Sequence, residues 1–285
     1  MIHLTKAPLT AAIARTGAEL RSLTLDAREL MTPATPGHWQ GHAPVLFPVI
    51  GRVAADTVQV DGRAYPMPKH GLARCAEFEL VEATPASAHF RLTSSPDTRA
   101  HYPFDWTLDV VHALSDRLAT TATVTNTGER PMPFSFGFHP AFAWPQPGGR
   151  RDGSSITFAD AEPGTLLEIA PDGLIRAERR DSPLDGRVLT LRDELFERDA
   201  LVWPDVASRS VRYKSGDNRE ALTVEFPDSD TLAIWTQPGA GFVCIEPWVG
   251  RADPEGFVGE MRDKPGGRVL AAGESAEFRL VVGLT

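Results

Sequence analysis

Short runs of alternating apolar and polar residues fill this sequence, and each run is closed within a few residues by Pro, Gly, Asp, Asn or Ser. Alternation at period two gathers the apolar side chains on one face of an extended strand, whereas on a helix the same pattern would scatter them around the axis. Residues 19–25, 77–81, 89–92, 106–111 and 118–124 read this way in the first half, and 155–158, 166–169, 221–226, 232–236 and 278–282 in the second. Val58-Gln59-Val60, Asp61-Gly62 and Arg63-Ala64-Tyr65 have the strand, turn, strand form of a tight hairpin.

No amphipathic pattern of four helical turns competes with these strands, and 24 Pro and 24 Gly are spread along all 285 residues. The expectation is an all-β fold: one domain over residues 1–285, a large antiparallel sandwich of many short strands. Residues 146–152, rich in Gly, Pro and Arg, read as a surface loop.

The formal net charge is −9, from 38 acidic and 29 basic residues, with no basic block interleaved with aromatics. Nucleic acid and anionic membranes are poor partners for such a surface. A sugar or small phosphate ester is not excluded, because a few arginines in a pocket override the net field locally. The amino terminus lacks a charged start followed by a long apolar run, and no apolar stretch approaches membrane-spanning length, so a soluble, cytoplasmic protein is expected. Two cysteines, Cys75 and Cys244, are too few for a disulfide framework and are expected as free thiols. His38 and His42 lie four apart in a glycine-containing segment without an intervening glutamate, which reads as a solvent-exposed loop and not a zinc helix. No metal and no cofactor is expected, and the assembly is expected to be a monomer or homodimer.

In Pro133-Phe134-Ser135-Phe136-Gly137-Phe138-His139-Pro140, three phenylalanines recur at period two and face a core, which turns Ser135, Gly137 and His139 to the other side. A titratable imidazole beside a residue without a side chain leaves room for a ligand. The alternative is a strand-end histidine satisfied by a backbone carbonyl. Glu246, inside the apolar run Val243-Cys244-Ile245-Glu246-Pro247-Trp248, is the least expected residue of the chain. A buried carboxylate costs several kcal/mol unless paired or neutralised, so it is either an ion-pair partner of Arg52 or Arg74 or a general base in a cleft. Trp248 is a core aromatic or a stacking platform for a sugar.

The runs Pro48-Val49-Ile50-Gly51-Arg52, His70-Gly71-Leu72-Ala73-Arg74, Phe138-His139-Pro140-Ala141-Phe142 and Cys244-Ile245-Glu246-Pro247-Trp248 resemble, in that order, motifs of the aldose 1-epimerase (galactose mutarotase-like) family, in particular its short bacterial branch. The resemblance spans nearly the whole chain. It implies a β-supersandwich and an isomerase that interconverts the α and β anomers of a hexose. By the same resemblance His139 is the acid that protonates the ring oxygen and Glu246 the base at the anomeric hydroxyl. Arg52 and His70 are sugar-binding, and Asp199 corresponds less closely to a hydroxyl-binding aspartate.

Hemiacetal opening requires one proton delivered and another removed, which an imidazolium facing a carboxylate can do without a cofactor, each group favouring the charged form of the other. The two are expected to meet across a cavity that admits a pyranose between them. Arg52, Arg74 and Arg251 exceed what a neutral sugar needs, which keeps a hexose-6-phosphate 1-epimerase as an alternative below the free hexose. A non-catalytic carbohydrate-binding protein is the rival from another class. A glycoside hydrolase using Glu246 and Asp199 is a third reading, in which His139 has no part.

Overall fold

The computed structural model describes residues 1–285, and the chain is built almost entirely from antiparallel strands. One sheet of nine strands runs, edge to edge, through Val188–Thr190, Arg150–Phe158, Ser210–Gly216, Leu222–Glu225, Ser275–Leu284, Leu118–Asn126, Trp106–Leu114, Ser87–Thr93 and Glu79–Ala83. Its central pair shows the alternation at work. Trp106–Leu114 and Leu118–Asn126 form an unbroken ladder of nine residue pairs, and in both strands every second residue is buried.

The second sheet, of eight strands, runs through Ile175–Asp181, Thr165–Ile169, Leu201–Pro204, Thr231–Trp235, Phe242–Val249, Phe136–Phe138 and Val45–Leu46, with Ala141–Ala143 also paired to Phe242–Val249. A core cluster of 60 buried residues joins the inward faces of both sheets, Leu108, Val110 and Phe278 from the first meeting Phe138, Ile234 and Ile245 from the second. The opposite face of the eight-stranded sheet carries its own cluster of nine, including Leu46, Val202, Ala233 and Trp248. Phe242–Val249 is buried along its whole length, as a strand covered on both faces must be.

The hairpin forms as expected. Thr57–Val60 pairs with Arg63–Pro66, and Asp61 and Gly62 both have positive φ, at 51° and 72°, as the two-residue loop requires. The expected loop 146–152 is shorter than its composition implied: Arg150–Phe158 is already strand, and a register shift between Arg150 and Ser155 absorbs the irregularity around Gly153. Residues 133–142 are not one strand. Met132–Phe134 pairs with Arg268–Leu270, and only Phe136–Phe138 and Ala141–Ala143 belong to the eight-stranded sheet. The alternation nevertheless holds, with Phe134, Phe136 and Phe138 all in the main core.

Cys75 is exposed and Cys244 buried, both as free thiols. No helix of the chain is long and apolar enough to cross a membrane.

Candidate active site

Ladder register brings the two central groups together. Phe136 and Gly137 pair with Val249 and Trp248, and Ala141 pairs with Cys244, so the intervening His139 stands opposite Glu246. The facing positions differ by 107 in sequence yet leave His139 Nε2 and Glu246 Oε2 only 3.2 Å apart. Both are buried, at 8% and 2% exposure, and both line a cavity of about 240 Å³ on the outer face of the eight-stranded sheet.

His139 and Glu246 therefore do not face each other across a gap that could hold a pyranose. They sit side by side on one wall. Nor is Glu246 the partner of Arg52 or Arg74: its ion-pair contact is with His139. Burial acts against the charged forms expected from the pairing. It pushes His139 down to about 3 and Glu246 well above the carboxylate range, with Asp199 adding to the Glu246 shift and Lys69 opposing it. Burial is the largest cause of both shifts, and it disfavours the charged form of each group.

The space that Gly137 was expected to leave is not open to a ligand. A Cβ on Gly137 would lie 2.4 Å from Trp248 Cδ1, so the indole packs directly over the glycine. Trp248 is both core and cavity wall, being 7% exposed and among the lining residues.

His70 is held by Gly51. The Gly51 N–H donates to His70 Nδ1 at 3.2 Å, and the His70 N–H donates to the Gly51 carbonyl at 2.8 Å. With Nδ1 accepting, the ring proton of neutral His70 is on Nε2. Burial is the largest cause of a pKa well below the usual imidazole value, reinforced by His139, Lys69 and Arg74. His70 and Gly71 are both left-handed, at φ 66° and 75°, and a Cβ on Gly71 would meet the Phe47 carbonyl oxygen at 2.3 Å. The glycine at position 71 is thus required by the turn that presents His70.

Arg52 is not brought to the cavity. Its Nε and one terminal nitrogen bind the two carboxylate oxygens of Asp56 at 2.8 and 2.7 Å, and its other terminal nitrogen donates to the Asp172 carbonyl at 3.1 Å. An acid four residues on, across a turn with Ala55 and Asp56 at positive φ, captures the guanidinium locally. In the Gly51-Arg52 motif it is the glycine, through its backbone, that serves the cavity.

Arg74, Asp199 and Arg251 do line it. Asp199 is exposed, has φ 65°, and its carboxylate accepts the Ala200 N–H at 2.7 Å. Burial lowers the Arg251 pKa, and the Arg74 Nε has no hydrogen-bond partner.

Three lining residues were not anticipated. Lys69 takes the place expected of Arg52 as a third cation, and Trp39 and Trp235 flank His139 with ring centroids 4.8 and 5.9 Å away. The signal for Trp39 lay in the segment read as a solvent-exposed loop: a Cβ on Gly41 would sit 2.2 Å from the indole, so the glycine lets Trp39 fold back over the site. His42 in the same segment is buried, not solvent-exposed.

Residues 1–282 match the family model described as aldose 1-epimerase. Protein LacX, plasmid, of Lactococcus lactis subsp. lactis is 31% identical over 278 residues, covering 93% of this chain and 92% of that one. A galactose mutarotase-like protein from Lactobacillus casei superposes with a TM-score of 0.92 at 30% identity over the whole of both chains. A galactose mutarotase related enzyme from Lactobacillus acidophilus gives 0.90 at 30% identity, over 100% of this chain and 97% of that one. With the family model matched over residues 1–282 and the fold shared over the whole chain, this chain belongs to the aldose 1-epimerase family of isomerases, which act on sugars.

Proposed function

We propose that the cavity binds a single aldose pyranose and exchanges its α and β anomers by opening and reclosing the ring. The observation that carries this is the 3.2 Å contact between His139 and Glu246 on the cavity wall. His139 delivers a proton to the ring oxygen while Glu246 takes the proton of the anomeric hydroxyl. The C1–O5 bond breaks, C1 becomes a carbonyl, rotation about C1–C2 presents its other face, and the two proton transfers run in reverse as the ring closes.

Burial disfavours the charged form of both groups, so the reactive ion pair arises when a proton passes from Glu246 to His139 as the sugar binds. Bound sugar hydroxyls restore some of the polarity that burial removed, and the ammonium of Lys69 favours the ionised carboxylate. His70, with its proton on Nε2, is placed to donate to a sugar oxygen, and Asp199 to accept from a hydroxyl. Trp39, Trp235 and Trp248 supply apolar faces for the C–H side of the ring.

One observation favours a phosphorylated aldose over a free one. Lys69, Arg74 and Arg251 line the cavity without the close carboxylate partner that holds Arg52 outside it. Three cations uncommitted to protein acids are suited to an anionic substituent.

Polarimetry or NMR on freshly dissolved α-glucose, α-galactose and the corresponding 6-phosphates tests both statements. Acceleration is expected, with larger kcat/KM for the phosphates. No acceleration on any of several aldoses or their 6-phosphates overturns the proposal, and binding without acceleration would make the chain a carbohydrate-binding protein.

A further inference from the structure

Cys244 takes no part in ring opening, yet it lies against the pair that does. His139, Cys244 and Glu246 present an imidazole nitrogen, a thiol sulfur and a carboxylate oxygen, all within 4.8 Å of one another. The ladder explains the cluster. Cys244 and Glu246 are two apart in Phe242–Val249 and share a face, and His139 stands opposite Glu246 from the neighbouring chain segment. Cys244 is fully buried, and its two neighbours in the cluster, His139 and Glu246, line the cavity. Glu246 Oε2, the oxygen nearest His139, has no hydrogen-bond partner despite being buried, nor has His139 Nδ1.

A thiolate in the donor set disfavours Mg²⁺ and Ca²⁺ and suits Zn²⁺ or Cd²⁺. Zinc bonds of about 2.0–2.3 Å at tetrahedral angles separate ligand atoms by roughly 3.4–3.6 Å, so the His139–Glu246 contact is near its required length and Cys244 needs about 1 Å of side-chain adjustment. Three protein ligands with the fourth position toward a cavity is the arrangement of an accessible zinc site.

We infer that His139, Cys244 and Glu246 form a binding site for Zn²⁺, and that its occupancy stops anomer exchange by engaging the two groups the sugar requires. The thiol and the Glu246 carboxyl each release a proton to solvent as the sulfur and the oxygen bind, and no electron transfer is involved. Lys69 and Arg74 on the same cavity oppose the dication and Asp199 attracts it, so binding is reversible by chelators. The inhibitory half rests on the acid/base roles proposed for His139 and Glu246; the binding half does not.

The test uses the full chain carrying Cys75→Ser, which removes the exposed thiol. Cd²⁺ is titrated in while the ultraviolet thiolate-to-metal absorption is followed, zinc chloride is used to displace it, and the mutarotation rate is measured in parallel. One equivalent of Cd²⁺ per chain is expected to develop the band, with zinc abolishing it and suppressing the rate until EDTA is added. Cys244→Ala is expected to keep the metal-free rate, lose the band and need roughly tenfold or more zinc for the same inhibition; Cys244→Ser serves if the alanine variant fails to fold by circular dichroism. Absence of the band, or equal zinc sensitivity in the Cys244 variants, overturns the site. A band with an unchanged rate keeps the site and overturns the acid/base reading of the pair.

Discussion

His139 lies in the short break between Phe136–Phe138 and Ala141–Ala143, both paired with the strand that carries Glu246, and this places Nε2 and Oε2 3.2 Å apart. A pair held between strands paired on both sides of it is fixed by backbone hydrogen bonds, so removing either side chain should leave the fold intact and strike the rate. His139→Asn and Glu246→Gln are each expected to lower kcat by about 10²–10⁴ with circular dichroism unchanged. Stopped-flow polarimetry checks it, and a loss of less than tenfold in either variant would remove that residue from the chemistry.

The two arginines that the motifs seemed to offer alike should separate. Arg52 is tied to Asp56 at the surface, so Arg52→Ala is expected to change kcat/KM by less than about twofold, as for other exposed ion pairs. Arg74 lines the cavity, and Arg74→Ala is expected to reduce kcat/KM on a hexose 6-phosphate by about 10–100-fold, the loss of one charged hydrogen bond, with a smaller effect on the free sugar. Similar effects on both substrates would remove the phosphate reading.

Gly137 is where the indole of Trp248 meets the neighbouring strand, and an added methyl would approach Trp248 Cδ1 to 2.4 Å and Ile50 Cδ1 to 3.2 Å. Gly137→Ala is therefore expected to cost about 1–3 kcal/mol in urea unfolding by overpacking, and to weaken sugar binding by moving the cavity wall. Unaltered stability would mean that the strand shifts freely there.

His112 should make stability fall in mild acid. It is buried in the nine-stranded sheet, its Nε2–H donating to the Ala18 carbonyl at 2.9 Å and its Nδ1 lying 3.0 Å from the Thr120 hydroxyl. Burial lowers its pKa from 6.5 to about 4, so the unfolded chain binds the proton first as pH falls. The stabilisation is complete above pH 6.5, declines between 6.5 and 4, and is constant below; from pH 8 to pH 5 the loss is roughly 2 kcal/mol. Urea titrations of wild type and His112→Gln across that range check it: the difference between the two should shrink as pH drops.

Some strands were not legible for a local reason. Ile175–Asp181 carries Arg176, Glu178, Arg179, Arg180 and Asp181 and shows little alternation, because as an edge strand it is largely exposed. Ile2–Lys6 and Leu9–Ile13 are short, and the amino-terminal four-stranded sheet that makes them strands is assembled by pairing. Glu246 and His139 could be found because each breaks the apolar pattern around it. Lys69 could not, since a lysine in a glycine-containing turn looks like any solvated residue until the turn is folded against the cavity.

The sequence by itself determined the class of fold and the pair at its centre, because period-two burial and a carboxylate amid apolar residues are properties of neighbours along the chain. Tertiary structure alone decided that His139 and Glu246 stand side by side, that Lys69 and not Arg52 reaches the cavity, that Trp248 fills the space over Gly137, and that burial disfavours the charged form of both central groups. Each of these depends on register, on a local competitor such as Asp56, or on atoms from remote strands that exclude water, and none of those is written in the residues beside the site.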